Sequence, residues 1–84
     1  MSETPISPEV REKILRLVEE RQTVAVPFDR IESMTIIELG IDSMQLLRLA
    51  FDIEIDYRLK MNLDKISAST TVKGFIDQLE PLKD

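Results

Sequence analysis

The residues best suited to chemistry in this chain stand together at Leu39-Gly40-Ile41-Asp42-Ser43-Met44. A glycine turn delivers Asp42 and Ser43 to the start of an apolar, helix-forming run. A serine so placed invites reading as a nucleophile. Serine needs a neighbouring base for that role, usually histidine and sometimes lysine. The chain has no histidine, and no lysine lies near Ser43 in sequence. It also has no cysteine, which removes disulfides and the usual zinc ligands. No pair of carboxylates is clustered for acid–base work. These absences argue against a stand-alone enzyme. Ser43 reads as a target of another protein's chemistry.

What Ser43 can offer depends on which residue caps the helix behind it. If Ser43 is the N-cap, its hydroxyl accepts a backbone N–H and the stretch is structural. Asp42 is the stronger candidate, because Gln45 three residues on gives a D-x-x-Q variant of the reciprocal capping box. A carboxylate also suits the positive end of the helix dipole better than a hydroxyl does. Ser43 then becomes the first helical residue with its hydroxyl unspent.

At about 100° per residue, Leu46, Leu49, Ala50, Ile53 and Tyr57 share one side of the helix expected over 43–57. That side is assigned to the core. Met44, Phe51 and Ile55 form a second apolar stripe, with Arg48 at its edge and Glu54 near it. A small domain cannot easily bury both stripes. Two readings are open for the second: a docking strip for a partner, or a face covered by the long connection before the helix.

The elements that must hold this stretch can be read in outline. Ser7-Pro8-Glu9 is a helix start, with serine at the cap, proline at the first position and glutamate at the dipole's positive end. Val10, Ile14, Leu17 and Val18 then recur at helical spacing, which predicts a helix over 8–21. Residues 22–42 show no sustained period and carry Pro27 as a breaker, so they read as a long loop pinned by its apolar residues. A helical turn near 29–34 is compatible with it. A short helix is expected at about 63–67. Ser69 or Thr70 then caps a last helix over about 70–80, with Val72, Phe75, Ile76 and Leu79 on one face and Pro81 as the stop. No segment alternates like a strand. The fold expected is all-α, a single domain over 1–84 with three main helices and a short one in a bundle.

Composition narrows the partners. Hydrophobic residues at 43% supply a core and charged residues at 32% supply solubility, so disorder is not expected. The longest apolar runs fall far short of the roughly 20 residues that span a bilayer. The N-terminal stretch lacks a signal pattern, so the expected location is cytoplasmic. A net charge of −5 argues against nucleic acid and anionic membrane, and points to mildly basic protein surfaces.

The stretch Leu39 to Met44 resembles the Asp-Ser-Leu signature of acyl carrier proteins, small acidic helical bundles whose serine carries 4′-phosphopantetheine. The resemblance covers nearly the whole chain. Ile31 through Thr35 to Leu39 is similar to the end of that family's loop, and Thr70-Thr71-Val72 to the start of its final helix. It implies that Ser43 is the attachment site and Asp42 its recognised neighbour. A separate phosphopantetheinyl transferase, using coenzyme A and Mg²⁺, would place the arm. Acyl or aminoacyl cargo would ride on it as a thioester, brought by a loading enzyme and taken by downstream transferases or synthases. The second stripe and its flanks, Met44, Arg48, Phe51, Glu54 and Ile55, are the partner-binding residues expected, with no metal site, and the protein is expected to be monomeric. The alternative is a helical adaptor that binds proteins without an arm.

The chain departs from the family in telling places. Met44 replaces the common leucine. Arg48 and Lys60 stand where the fatty-acid carriers usually have acidic residues, and Gln45 is neutral. Asp42, Glu54 and Asp56 keep some negative character, but the acidic stripe is broken. Rim charges govern partner choice and on-rate. The departures therefore imply a dedicated pathway, for polyketide, nonribosomal peptide or a single aminoacyl group.

Overall fold

Helix α1, Pro8–Arg21, opens where its caps dictate in the computed structural model, which describes residues 6–67 and 69–81. The other residues of the expected 1–84 domain lie outside that description. The Ser7 hydroxyl accepts the Val10 N–H at 3.2 Å, and Pro8 occupies a position whose N–H would have no helical partner. Ile14, Leu15 and Val18 are buried, while Val10 and Leu17 are half-buried beside them. Periodicity alone selects Leu17 over Leu15. The structure reverses that choice, because α1 packs against two elements and its buried face is broader than one stripe.

Helix α2, Ser43–Tyr57, buries Leu49 and Ile53 completely. Leu46, Ala50 and Tyr57 lie half-buried against the same core. It stops at Arg58, which takes a left-handed conformation (φ 55°, ψ 44°) and donates its N–H to the Glu54 carbonyl at 2.9 Å. A non-glycine residue pays strain there, and the reversal sends the chain into Leu59–Lys60. Those two residues, β1, pair antiparallel with Glu80–Pro81, β2, in the register Leu59 to Pro81 and Lys60 to Glu80.

The expectation of an all-α chain is corrected here: it is mostly helical, with a small two-stranded sheet. Two-residue strands are too short to show alternation, so nothing in the local pattern signals them. The last helix is corrected with it. Helix α3 runs only Val72–Asp77, and Thr71 caps it by accepting the Gly74 N–H at 3.0 Å. Thr70 is spent elsewhere, its hydroxyl accepting the Ser67 N–H at 2.9 Å. Gln78 and Leu79 donate to Phe75 and Ile76, tightening the end of the helix, before Glu80 is drawn into the sheet. The short helix is a 3₁₀ turn, Leu63–Lys65, capped by the Asn62 side chain and ended by the extended Ile66.

The connection 22–42 is more ordered than a pinned loop. A 3₁₀ helix occupies Phe28–Ser33, and it packs on both α1 and α3. Ile31 is fully buried there, and the Arg16 guanidinium stacks 3.7 Å above the Phe28 ring. Arg11 reaches from α1 to Glu32 (2.7 Å) and to Asp77 (3.2 Å). Those pairs are partly exposed, so their contribution is modest. The buried aliphatics are the stronger fastening. Ile36, Leu39 and Ile41 join Ile14, Val18, Ile53 and Phe75 in one core. Among the described residues, no helix is long and apolar enough to cross a membrane.

Burial separates two leucine-sized positions on α2. Ile53→Ala should destabilise the fold by about 2–5 kcal/mol. Leu46→Ala should cost clearly less, because its side chain is only partly buried. Chemical denaturation of both variants checks the ranking. Equal losses would mean that Leu46 carries as much packing as Ile53.

Candidate functional site

Ser43 is the first residue of α2 and is exposed. The reason is the residue before it. Asp42, in extended geometry (φ −86°, ψ 178°), accepts the Gln45 N–H on Oδ1 at 2.8 Å and so takes the capping role. Its own carbonyl accepts the Leu46 N–H at 2.9 Å. Gln45 does not complete a reciprocal box with its carbonyl oxygen. That Oε1 accepts instead from the Arg21 guanidinium at 3.4 Å, and Arg21 also pairs with Asp52. Among the described residues, nothing hydrogen-bonds the Ser43 hydroxyl. Among those residues, none stands as a hydrogen-bonded base to it.

The turn before the site is built from two devices. Thr35 and Glu38 form a capping box: the Glu38 N–H donates to Thr35 Oγ1 (3.2 Å), and the Thr35 N–H donates to Glu38 Oε1 (2.9 Å). The Thr35 hydroxyl also donates to Glu38 Oε1 at 3.0 Å. These bonds to the Thr35 backbone N–H and then to its hydroxyl hold the Glu38 carboxyl below its ordinary range. Thr35 is tied onward to α3 by an isolated bridge to Thr71, with Val72 donating to the Met34 carbonyl and Ile36 to that of Thr70. The second device is Gly40, at φ +74°. A Cβ there would lie 1.9 Å from Thr23 Oγ1, which donates to the Gly40 carbonyl at 3.0 Å.

Two depressions open beside Ser43. One of about 180 Å³ is lined by Ile36, Ile41, Leu46 and Ile66, with Asp42, Ser43 and Ser67 supplying polar atoms. The other, about 360 Å³, is lined by Ile37, Gly40, Ile41, Asp42 and Ser43. A group attached to Ser43 therefore has a mainly aliphatic wall on either course.

The second stripe of α2 is uncovered. Met44 is 65% exposed, Phe51 63% and Ile55 74%, so the long connection does not lie over them. Leu47, 42% exposed, belongs to the same face, and sequence reasoning missed it. Its place three residues after Met44 and four before Phe51 was the available signal. Arg48 and Glu54 are exposed on opposite flanks of this face. A pit of about 100 Å³ lies beside it, lined by Leu47, Ala50, Phe51, Glu54, Met61 and Leu63. Ile37, 64% exposed and next to Ser43 in the larger depression, is a further apolar residue that no periodicity marks. Asp56 and Lys60 are exposed as well.

Comparison of the chain with known protein families, curated relatives and solved structures finds no match.

The turn itself is open to test. Gly40→Ala combines a left-handed backbone with a side chain aimed at Thr23, and should destabilise the protein by about 1–3 kcal/mol. Thermal or chemical unfolding measures it, and a neutral result would show that Thr23 can swing aside. Glu38 gives a pH signature. Its carboxyl is held low when folded, so its contribution is present at neutral pH and disappears as pH falls through the folded-state value, below the ordinary 4.5. The stability gap between wild type and Glu38→Gln should thus narrow on acidification. A gap constant across that range would refute the box.

Proposed function

We propose that this protein is an acyl carrier of the phosphopantetheine type, folded as that family's helical bundle and working as a cytoplasmic monomer. Ser43 accepts the arm, Asp42 presents it, and the exposed face of α2 meets the enzymes that load and unload the cargo. The observation that carries this reading is the free Ser43 hydroxyl at the start of a 15-residue helix, released from capping by Asp42.

The residues present suit the arm. A phosphodiester on Ser43 sits at the positive end of α2, where negative charge is favoured. The aliphatic walls formed by Ile36, Ile37, Ile41, Leu46 and Ile66 flank the attachment point. The step requires Ser43 Oγ to displace the adenosine bisphosphate half of coenzyme A at phosphorus, passing its proton to a base. This chain supplies no histidine for that, so base and Mg²⁺ belong to the transferase. When bound, the arm supplies the thiol that a cysteine-free chain lacks. Holding cargo on a tether raises its effective concentration at each docked enzyme.

Partner recognition falls to Met44, Phe51 and Ile55, joined by Leu47, with Arg48 and Glu54 at the flanks. One positive and one negative flank differ from a uniformly acidic face. This supports a dedicated acyl- or aminoacyl-loading enzyme rather than the general fatty-acid machinery.

Incubation with coenzyme A, Mg²⁺ and a transferase of broad specificity should add one phosphopantetheine by intact mass, and none to Ser43→Ala. Modification at Ser33, Ser67 or Ser69 would overturn the assignment, and an unmodified wild type would favour the adaptor reading. Asp42→Ala should slow the reaction and cost about 1 kcal/mol through the lost cap. Phe51→Ser and Ile55→Ser should slow loading while leaving the unfolding midpoint nearly unchanged, since exposed positions rarely move stability by more than about 0.5 kcal/mol. Arg48→Glu should alter partner preference rather than folding. Unfolding of the Phe51 variant would show that the strip is part of the core.

A further inference from the structure

The end of α1 holds the chain on both sides of Ser43. Arg21 donates to Gln45, two residues after the serine. The next residues hold the turn three and four positions before it. Thr23 N–H and Val24 N–H both donate to the Leu39 carbonyl, at 2.9 and 3.3 Å, and Thr23 Oγ1 donates to the Gly40 carbonyl at 3.0 Å. The fit is close because Gly40 has no Cβ and stands at φ +74°, leaving the space into which the Thr23 hydroxyl projects. From Gly40 the chain reaches Ser43 through Ile41, which is buried, and Asp42, which is fixed by its cap. A shift of the Gly40 peptide is therefore passed to the serine with little slack.

We propose that Thr23 is a positioning residue for modification of Ser43, its hydroxyl fixing the Gly40 peptide and so the direction from which Ser43 is presented. The inference rests on the carrier reading of Ser43. Thr23 is exposed, and water competes for its bond, so the hydroxyl contributes little to global stability. Its effect falls on geometry, where a small displacement of a reacting group is costly. The face of α2 that docks is untouched. Loss of the hydroxyl should therefore lower kcat and leave KM for the carrier near its wild-type value.

The experiment compares wild type, Thr23→Val and Thr23→Ser as full chains. Modification kinetics are followed by intact mass with coenzyme A, Mg²⁺ and a broad-specificity transferase, beside an unfolding curve for each protein. Valine keeps the shape and removes the donor, and serine keeps the donor. The expected result is a fall in kcat on the order of 10-fold for Thr23→Val, a rate near wild type for Thr23→Ser, and similar unfolding midpoints for all three. Wild-type kinetics in Thr23→Val would overturn the proposal while leaving the carrier reading intact. So would a defect that appears only at temperatures where the variant is partly unfolded. If wild type itself is not modified, the carrier reading fails, and with it the role assigned to Thr23. Amide hydrogen exchange then reports on the latch alone: faster exchange at Gly40, Ile41 and Gln45 in Thr23→Val would keep it as a local fastening, and unchanged exchange would remove that too.

Discussion

An α-helix begins with N–H groups that its own carbonyls cannot reach, and something outside the helix must answer them. At the start of α2 the answer comes from Asp42, whose carboxylate takes the Gln45 N–H at 2.8 Å. Had a serine done this work, its hydroxyl would be consumed and the site would be only a cap. With the carboxylate in place, the next residue carries a hydroxyl that the fold does not need. Everything proposed for Ser43 depends on that division between neighbouring side chains. It explains why a serine can be prominent in a chain that has no histidine to activate it.

The cap works only if the chain arrives from the right direction, and that is the task of residues 22–42. A connection of this length would ordinarily cost entropy and wander. Here Ile31, Ile36, Leu39 and Ile41 are each buried, so the connection contributes to the core rather than crossing over it. Its polar atoms are answered locally, by the Thr35–Glu38 box and by the bridge to Thr71. The segment that presents Ser43 is therefore held by α1 at one point and by α3 at another.

Much of this was legible in the sequence, and the boundary of legibility is physical. Ser7-Pro8-Glu9 and Asp42-x-x-Gln45 announce helix starts because caps are local, needing only three or four residues of context. Thr35-x-x-Glu38 is a signal of the same kind, hidden among apolar residues with no sustained period after it. Leu15 could not be placed, because the breadth of a buried face depends on how many neighbours pack against it. The β1–β2 pair was out of reach, since it joins residues about twenty apart and depends on a left-handed Arg58 that propensity does not favour. The latch at Gly40 was half visible. Glycine marked the turn, but its partner Thr23 lies 17 positions away in a stretch with no motif.

The uncovered face of α2 follows from the same economy of size. A small fold buries a smaller share of its surface than a large one, and α2 already gives Leu49 and Ile53 to the core. A helix apolar on two sides can satisfy one side within the chain. The other, Met44-Leu47-Phe51-Ile55, is left to solvent at a cost that selection for stability alone would remove. It begins one residue after Ser43, so the two unsatisfied features of the helix, a spare hydroxyl and a spare apolar face, share one end. On the carrier reading proposed above, an enzyme drawn to the serine would meet the strip at once, with Arg48 and Glu54 limiting which surfaces fit beside it. On that reading, position along one helix would couple what is attached to what may dock.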